Sequence, residues 1–226
     1  MINSLKKILP LIFVLFSYIG FVQAQTPAET RKWVGFGQNF GFYDEDGMPG
    51  NQEVKGTTYE YMAGHYTFDD STTKGQAYLY NDFSSKFEDT SGNNHDMYTR
   101  TFHTYYSYGL GKTYEVSNKF QVGATVDVLG GLGLVVFKKD FTPVGGSEIK
   151  FDERFGFDIL TGFQWAIYFD INNYWVIGTK SSYFQNRLKL EFGDTIGQLD
   201  HNYSTMLFVG IKKGFTDCVP TAYVQC

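Results

Sequence analysis

Between residues 120 and 170 the sequence alternates between apolar positions and polar or small positions with a period of two. From Phe120 to Val136 every second residue is apolar or glycine, and the residues between them include Gln121 and Asp127. The same alternation returns between residues 155 and 169. Successive side chains of a β-strand point to opposite faces of the sheet. The pattern therefore predicts two strands, each with one apolar face and one polar face.

The first of these strands is longer than a soluble protein usually needs. Its alternation covers 17 residues, whereas a typical soluble strand has about 5–6 residues and a strand crossing a bilayer needs about 9–11 tilted residues. This length predicts a closed barrel whose apolar faces point outwards into lipid. The residues predicted to face lipid are Phe120, Val122, Val126, Val128, Leu132, Leu134, Phe157, Ile159, Phe163, Trp165 and Ile167.

The rest of the chain divides in the same way, which gives eight predicted strands. They cover residues 32–43, 57–68, 75–87, 97–114, 119–137, 151–170, 174–191 and 201–215. The predicted connections have 13, 6, 9, 4, 13, 3 and 9 residues, an alternation that is typical of long loops at one end of a barrel and short turns at the other. The predicted fold class is all-β, an eight-stranded antiparallel up-and-down transmembrane β-barrel.

The first 24 residues have the features of a secretory signal peptide. Lys6 and Lys7 precede an apolar run from Ile8 to Val22, and Val22-Gln23-Ala24 is a small-residue cleavage site. An uncleaved anchor is the alternative, but the run is short for a spanning helix. The predicted organisation is a signal peptide at 1–24, a transmembrane β-barrel domain at 25–215 and a short C-terminal tail at 216–226.

Composition adds two constraints. Removal of the leader takes away two lysines and no acid, so the net charge falls from −5 to −7. This argues against nucleic acid as a partner. Aromatic residues make up 19% of the chain, with 17 Tyr and 22 Phe. Membrane barrels place aromatic girdles at both interfaces, so this excess also favours a membrane barrel.

The chain resembles the small eight-stranded outer-membrane barrels of Gram-negative bacteria, the OmpA-like and porin-family β-barrel domains. The resemblance is carried by the leader, by aromatic–glycine strands such as Trp33-Val34-Gly35-Phe36-Gly37, by the turn at 168–175, and by a last strand, 203–215, that ends in an aromatic residue. It implies location in the bacterial outer membrane and contact with outer-membrane lipid. Envelope protein partners, reached through the loops or the C-terminal tail, are a separate expectation, which the tail favours. That family usually ends at the aromatic residue, whereas residues 216–226 follow it here.

Four charged residues are predicted to face the lumen: Asp127, Arg154, Asp158 and Lys180. The interior of an eight-stranded barrel is just wide enough for side chains to fill. A buried charge must be paired, since an unpaired one is costly. The four residues are therefore interpreted as a structural charge network, with a proton or ion pathway as the alternative.

Enzymatic and metal chemistry have weak support in the sequence. His201 and Ser204 lie near the start of the last strand, and some small outer-membrane barrels are lipid hydrolases or acyltransferases. Their spacing of three places them on opposite faces of a regular strand, which argues against a nucleophile–base pair. Residues 44–47 resemble half of a calcium loop and lack the remaining ligands. The sequence predicts no catalytic residue, no metal site and no cofactor.

Cys218 and Cys226 are the two cysteines, and both lie in the tail. An exported chain meets an oxidising compartment, so a local disulfide is one interpretation. Free or intermolecular thiols are the other.

The predicted function is that of an outer-membrane barrel with a structural or interaction role and a lumen filled by side chains, rather than a large pore or an enzyme. A barrel enzyme acting on lipid remains an alternative, and two further alternatives are also open at this point. One is an accessory subunit of a larger cell-envelope complex. The other is a soluble exported barrel of the lipocalin type, which binds a small apolar ligand inside and faces water outside.

Overall fold

The computed structural model describes residues 29–44, 52–68, 70–88, 92–145, 150–191 and 198–214. The predicted signal peptide, the tail and both cysteines lie outside these residues. Within them, no helix is long and apolar enough to cross a membrane. The strands are β1 Glu29–Asp44, β2 Gln52–Thr67, β3 Thr72–Glu88, β4 Asn94–Ser117, β5 Phe120–Thr142, β6 Lys150–Ile171, β7 Trp175–Glu191 and β8 Gln198–Gly214.

The eight strands form one closed barrel. Each strand pairs antiparallel with the next, and β8 pairs with β1 from Glu29–Gly214 to Asp44–Gln198. Closure leaves no unpaired strand along the barrel wall, which is the condition for a sheet to stand in hydrocarbon. The all-β fold, the number of strands and their up-and-down order are confirmed.

The pairing register closes with a stagger of ten residues. Starting at Glu29 and stepping across one pair at a time, the path returns to β1 at Asn39, after passing through Thr67, Thr73, Gly109, Asp127, Gln164, Ser182 and Ser204. Because ten is an even number, inward positions on β8 meet inward positions on β1, and the alternation continues around the barrel. This stagger and the eight strands together set the strand tilt and an interior of side-chain width.

The outer surface is apolar, whereas the interior combines polar and charged side chains with a cluster of buried apolar ones such as Met62, Leu160 and Phe184. Val128 on the outer face is 62% exposed, whereas its neighbour Asp127 is 1% exposed. Of the eleven residues predicted to face lipid, three are half-buried and eight are exposed, and all eleven alternate with inward positions. The half-buried ones are Phe120, Val122 and Ile159. The apolar outer face is the opposite of the polar outer face that a soluble barrel of the lipocalin type requires.

The exposed apolar residues of the outer face, such as Val128, Leu132 and Phe163, form an apolar belt around the barrel. At the loop end, strands β4, β5 and β6 continue well beyond this belt. They have 24, 23 and 22 residues, whereas the other strands have 16 or 17. The loop predicted at 138–150 is shorter in the structure, because β5 runs to Thr142 and β6 begins at Lys150. The backbone ladder does not depend on apolar side chains, so it continues where the hydrophobic pattern stops.

The short turns use residues that tolerate left-handed backbone. Asn172 and Asn173 between β6 and β7 have φ values of 56° and 55°, which asparagine adopts more readily than most residues.

In the turn between β2 and β3, the amide of Thr72 donates to the Asp70 carboxylate at 3.0 Å. This hydrogen bond lowers the pKa of Asp70.

We predict that arginine at Val128, in the middle of the apolar run of β5, destabilises the folded barrel by about 2–4 kcal/mol. The matched control is Val116→Arg, which places the same charge on an equally exposed valine (64%) next to the β4–β5 turn. Near the interface its cost should fall to about 0–1 kcal/mol. Urea unfolding of both variants in phospholipid vesicles measures the difference. Equal costs at the two positions would contradict a lipid-facing β5.

Candidate functional site

The lumen contains three groups of polar side chains at different depths. The first, the turn-end cluster, consists of Glu29, Arg31, Asp170 and Lys212. The Arg31 guanidinium contacts Asp170 through two hydrogen bonds of 3.2 and 2.7 Å, and it contacts Glu29 at 2.5 Å. Nζ of Lys212 lies 2.5 Å from Glu29 and 3.1 Å from Asp170. Two cations are therefore balanced by two carboxylates at the mouth of the barrel where the short turns lie.

The second group, the mid-lumen network, crosses the barrel near its middle. Its members come from seven of the eight strands, and all of them are buried. They are Trp33, Glu60, His65, Thr73, Tyr105, Asp127, Gln164 and Lys180.

Glu60 and Lys180 form the central ion pair of the mid-lumen network. Both side chains are fully buried, and Nζ of Lys180 donates to Oε2 of Glu60 and to the Tyr105 hydroxyl, the latter at 2.8 Å. The Tyr105 hydroxyl donates to the same carboxylate oxygen at 2.5 Å, and Nε1 of Trp33 donates to the other at 3.0 Å. Burial of these charges is tolerated because the pair is completed by neutral donors.

Gln164 connects this ion pair to Asp127. Its Oε1 accepts from Lys180 at 3.3 Å, and its Nε2 donates to Asp127 at 3.0 Å. The Thr73 hydroxyl donates to the second oxygen of Asp127 at 2.5 Å, and Nε2 of His65 lies 3.7 Å from the first. One continuous set of contacts thus runs from Trp33 on β1 across the lumen to Asp127 on β5.

The third group lies towards the loop end. Nε2 of His103 is 3.2 Å from the Asp158 carboxylate, and both residues are buried. The ring reaches this position over Gly133, where an added Cβ would lie 2.1 Å from Cδ2 of His103. A glycine is therefore required beneath the imidazole. On the opposite wall, the amide of Asn39 donates to Asn81 at 3.0 Å, which links β1 to β3.

A cleft of about 470 Å³ opens at the turn end of the barrel. It is lined by Glu29, Thr67, Phe68, Ser71, Gly111, Lys112, Thr113, Glu115 and Gln121. Members of the mid-lumen network do not line it. The cleft therefore lies on the turn-end side of the network.

The structure places three of the four predicted lumen charges inside the barrel. Asp127, Asp158 and Lys180 are buried, whereas the side chain of Arg154 lies outside the described part of the chain. The partners differ from the expected ones. The carboxylate bound to Lys180 belongs to Glu60, and Asp158 contacts His103.

Several lumen residues were missed by the sequence analysis. Glu60 stands between Tyr59 and Tyr61, and His103 stands between Phe102 and Thr104. In each case one ionisable residue follows an aromatic residue that points outwards, so the ionisable side chain must point into the lumen. This is the signal that would have identified both. Arg31 and Lys212 lay at strand ends, where charged residues are expected in solvent, so their burial had no local signal.

The structure offers no further support for the candidate enzyme and metal sites. The Ser204 side chain is buried in the lumen, whereas that of His201 lies outside the described residues. The candidate calcium turn also falls outside them after Asp44. Among the described side chains, no group of three His, Cys, Asp or Glu is placed to hold one metal ion.

The fold and the polar lumen together define a small eight-stranded barrel with an apolar outer surface, which confirms the predicted resemblance at the level of the fold. No family model and no curated protein match the chain significantly. Among solved structures, it is similar to Ail, the attachment invasion locus protein of Yersinia pestis, at 18% identity over 83% of this chain and 100% of that chain, with a TM-score of 0.41.

Two other solved structures are similar to the chain. Neisserial surface protein A (NspA) is 9% identical over 80% of this chain and 96% of that chain, with a TM-score of 0.34. The translocator domain of the autotransporter NalP from Neisseria meningitidis is 13% identical over 92% and 96%, with a TM-score of 0.32.

We predict that Lys180→Met destabilises the barrel by about 3–5 kcal/mol, because it leaves the Glu60 carboxylate buried without its cation. The double variant Glu60→Gln with Lys180→Met removes both charges and should recover most of that loss. Lys86→Met is the control, since it breaks an exposed ion pair with Asp96 and should cost no more than ~1 kcal/mol. The free energy of unfolding of all three variants is measured by urea titration, with the folded fraction read from the different gel mobilities of folded and boiled protein. A double variant no more stable than Lys180→Met would contradict the pairing.

Proposed function

We propose that this chain is a bacterial outer-membrane barrel that acts as a structural or interaction protein, without a conducting lumen and without catalysis. The observation that supports this most strongly is the mid-lumen network. It spans the lumen from β2 to β7, two strands that are not neighbours in the barrel. An ion passing along the axis would have to separate Glu60 from Lys180, which leaves both charges buried and unpaired.

Membrane location is supported by the outer surface. An apolar belt this large on a soluble monomer would be an aggregation hazard, whereas in hydrocarbon it is the expected surface. Outer-membrane lipid is therefore the proposed contact of this surface. Export through the predicted signal peptide remains a prediction.

An interaction role is supported by the loop end. Strands β4, β5 and β6 extend past the belt, and charged side chains form exposed or half-exposed pairs there, such as Lys138 with Asp140 on β5 and Asp96 on β4 with Lys86 on β3. Rigid strands that project beyond a membrane offer a surface to an envelope partner. Membership of a larger envelope complex is the second candidate function, and this projecting sheet is the observation that favours it.

Planar bilayers test the proposal directly. The purified wild-type barrel should insert without steady, large openings, because the network fills the lumen. The Glu60→Ala/Lys180→Ala double variant removes the two longest charged side chains of the network and should show openings where the wild type shows none. The control is Lys86→Ala/Asp96→Ala, which changes only the outer surface. Steady ion-selective openings of the wild type would contradict a closed lumen.

A further inference from the structure

Outward-facing lysines are distributed unequally between the two ends of the barrel. At the turn end, five of them lie outside the lumen and are exposed or half-exposed: Lys32, Lys74, Lys112, Lys119 and Lys213. We name this set the basic rim. None of the five forms an ion pair with a carboxylate in the part of the chain that the structure describes. The exposed acids described at the same end are Asp70 and Glu115.

The loop end shows the opposite arrangement. Lys86 pairs with Asp96 at 3.0 Å, and Arg100 pairs with Asp82 at 3.4 Å. Lys138 pairs with Asp140 at 3.5 Å. These three described cations are therefore neutralised by carboxylates of the barrel itself, whereas no described carboxylate pairs with a lysine of the basic rim.

The basic rim lies along the edge of the apolar belt that is nearer the turn end. Lys32 is the next outward residue after Val34, which is 56% exposed, and Lys112 lies between Leu110 and Tyr114, which are 67% and 60% exposed. The ammonium of Lys112 lies 5.2 Å from the centre of the Tyr114 ring. A lysine in this position lays its aliphatic stem on apolar surface and holds its charge at the water interface.

Charges inside the same end do not cancel this excess. The turn-end cluster is neutral in itself, because Arg31 and Lys212 are balanced by Glu29 and Asp170. Among the residues that the structure describes, five lysines stand against two exposed acids, so the rim carries an excess of positive charge. Lys32 and Lys112 therefore lie beside exposed apolar side chains of the outer face, and their ammonium groups can reach the lipid headgroups.

We propose that the basic rim binds the phosphate headgroups of anionic phospholipids in the leaflet that meets the short turns. This inference rests on the proposed membrane location. A lipid fits better than a free anion, because its acyl chains cover the outward residues beside each lysine, such as Val34 and Leu110, while its phosphate meets the ammonium. Juxtamembrane lysines attract anionic lipid in this way, and the attraction is screened by salt.

The experiment uses the full folded chain in phosphatidylcholine bilayers that contain a trace of spin-labelled lipid. Electron paramagnetic resonance then gives the association of labelled phosphatidylglycerol with the barrel relative to labelled phosphatidylcholine. The wild type should favour phosphatidylglycerol about fivefold, the ratio expected from one lysine–headgroup contact. The preference should fall as salt is raised, a readout that needs no variant.

The triple variant Lys32→Gln/Lys112→Gln/Lys213→Gln should lose most of the preference. The matched control Lys86→Gln/Arg100→Gln/Lys138→Gln removes three cations at the loop end and should keep it. Equal association of the two lipids with the wild type would overturn this inference while leaving membrane insertion intact. Displacement of phosphatidylglycerol by inorganic phosphate would overturn it in favour of a free-anion site. Failure of the wild type to insert into either bilayer would instead contradict the proposed function.

Discussion

The ion pair between Glu60 and Lys180 is the contact on which the interior of the barrel depends. It joins β2 to β7 across the lumen, and Trp33, Tyr105 and Gln164 complete its hydrogen bonds. Such a contact is geometrically available only because eight strands with a stagger of ten residues leave an interior of side-chain width. In a wider barrel the same two residues would stand in water on separate walls. Because the lumen is narrow, oppositely charged residues on different strands come within contact and cross-link the wall.

The two faces of each strand meet different environments, one outside the barrel and one inside the lumen. Outside, every position within the belt has to be compatible with hydrocarbon, and Val128 and Phe163 satisfy this by being apolar. Inside, Asp127 and Gln164 on the neighbouring positions have to find polar partners. Because the mid-lumen network crosses the barrel, the surfaces left to meet other molecules are the outer face, the two rims, the cleft at the turn end and the projecting ends of β4, β5 and β6. Function is therefore expected on the outside of the barrel.

Period-two alternation was sufficient to predict the number of strands and their order. It did not predict the partners inside. Lys180 and Glu60 are 120 residues apart, and their meeting depends on the stagger of the whole barrel, which no local pattern encodes. Strand β3 shows a second limit, because its inward face carries Ala77, Leu79 and Phe83. An apolar inward face cannot be distinguished from a lipid-facing one by hydrophobicity alone.

The three tryptophans provide the most direct measurement of which face meets lipid. Trp33 is 3% exposed inside the lumen, whereas Trp165 and Trp175 are 42% and 50% exposed on the outer face. In variants that retain one tryptophan each, brominated phospholipids should quench the fluorescence of Trp165 strongly and leave that of Trp33 nearly unchanged. Quenching of Trp33 with protection of Trp165 would contradict the assignment of an apolar outer face and a closed polar lumen.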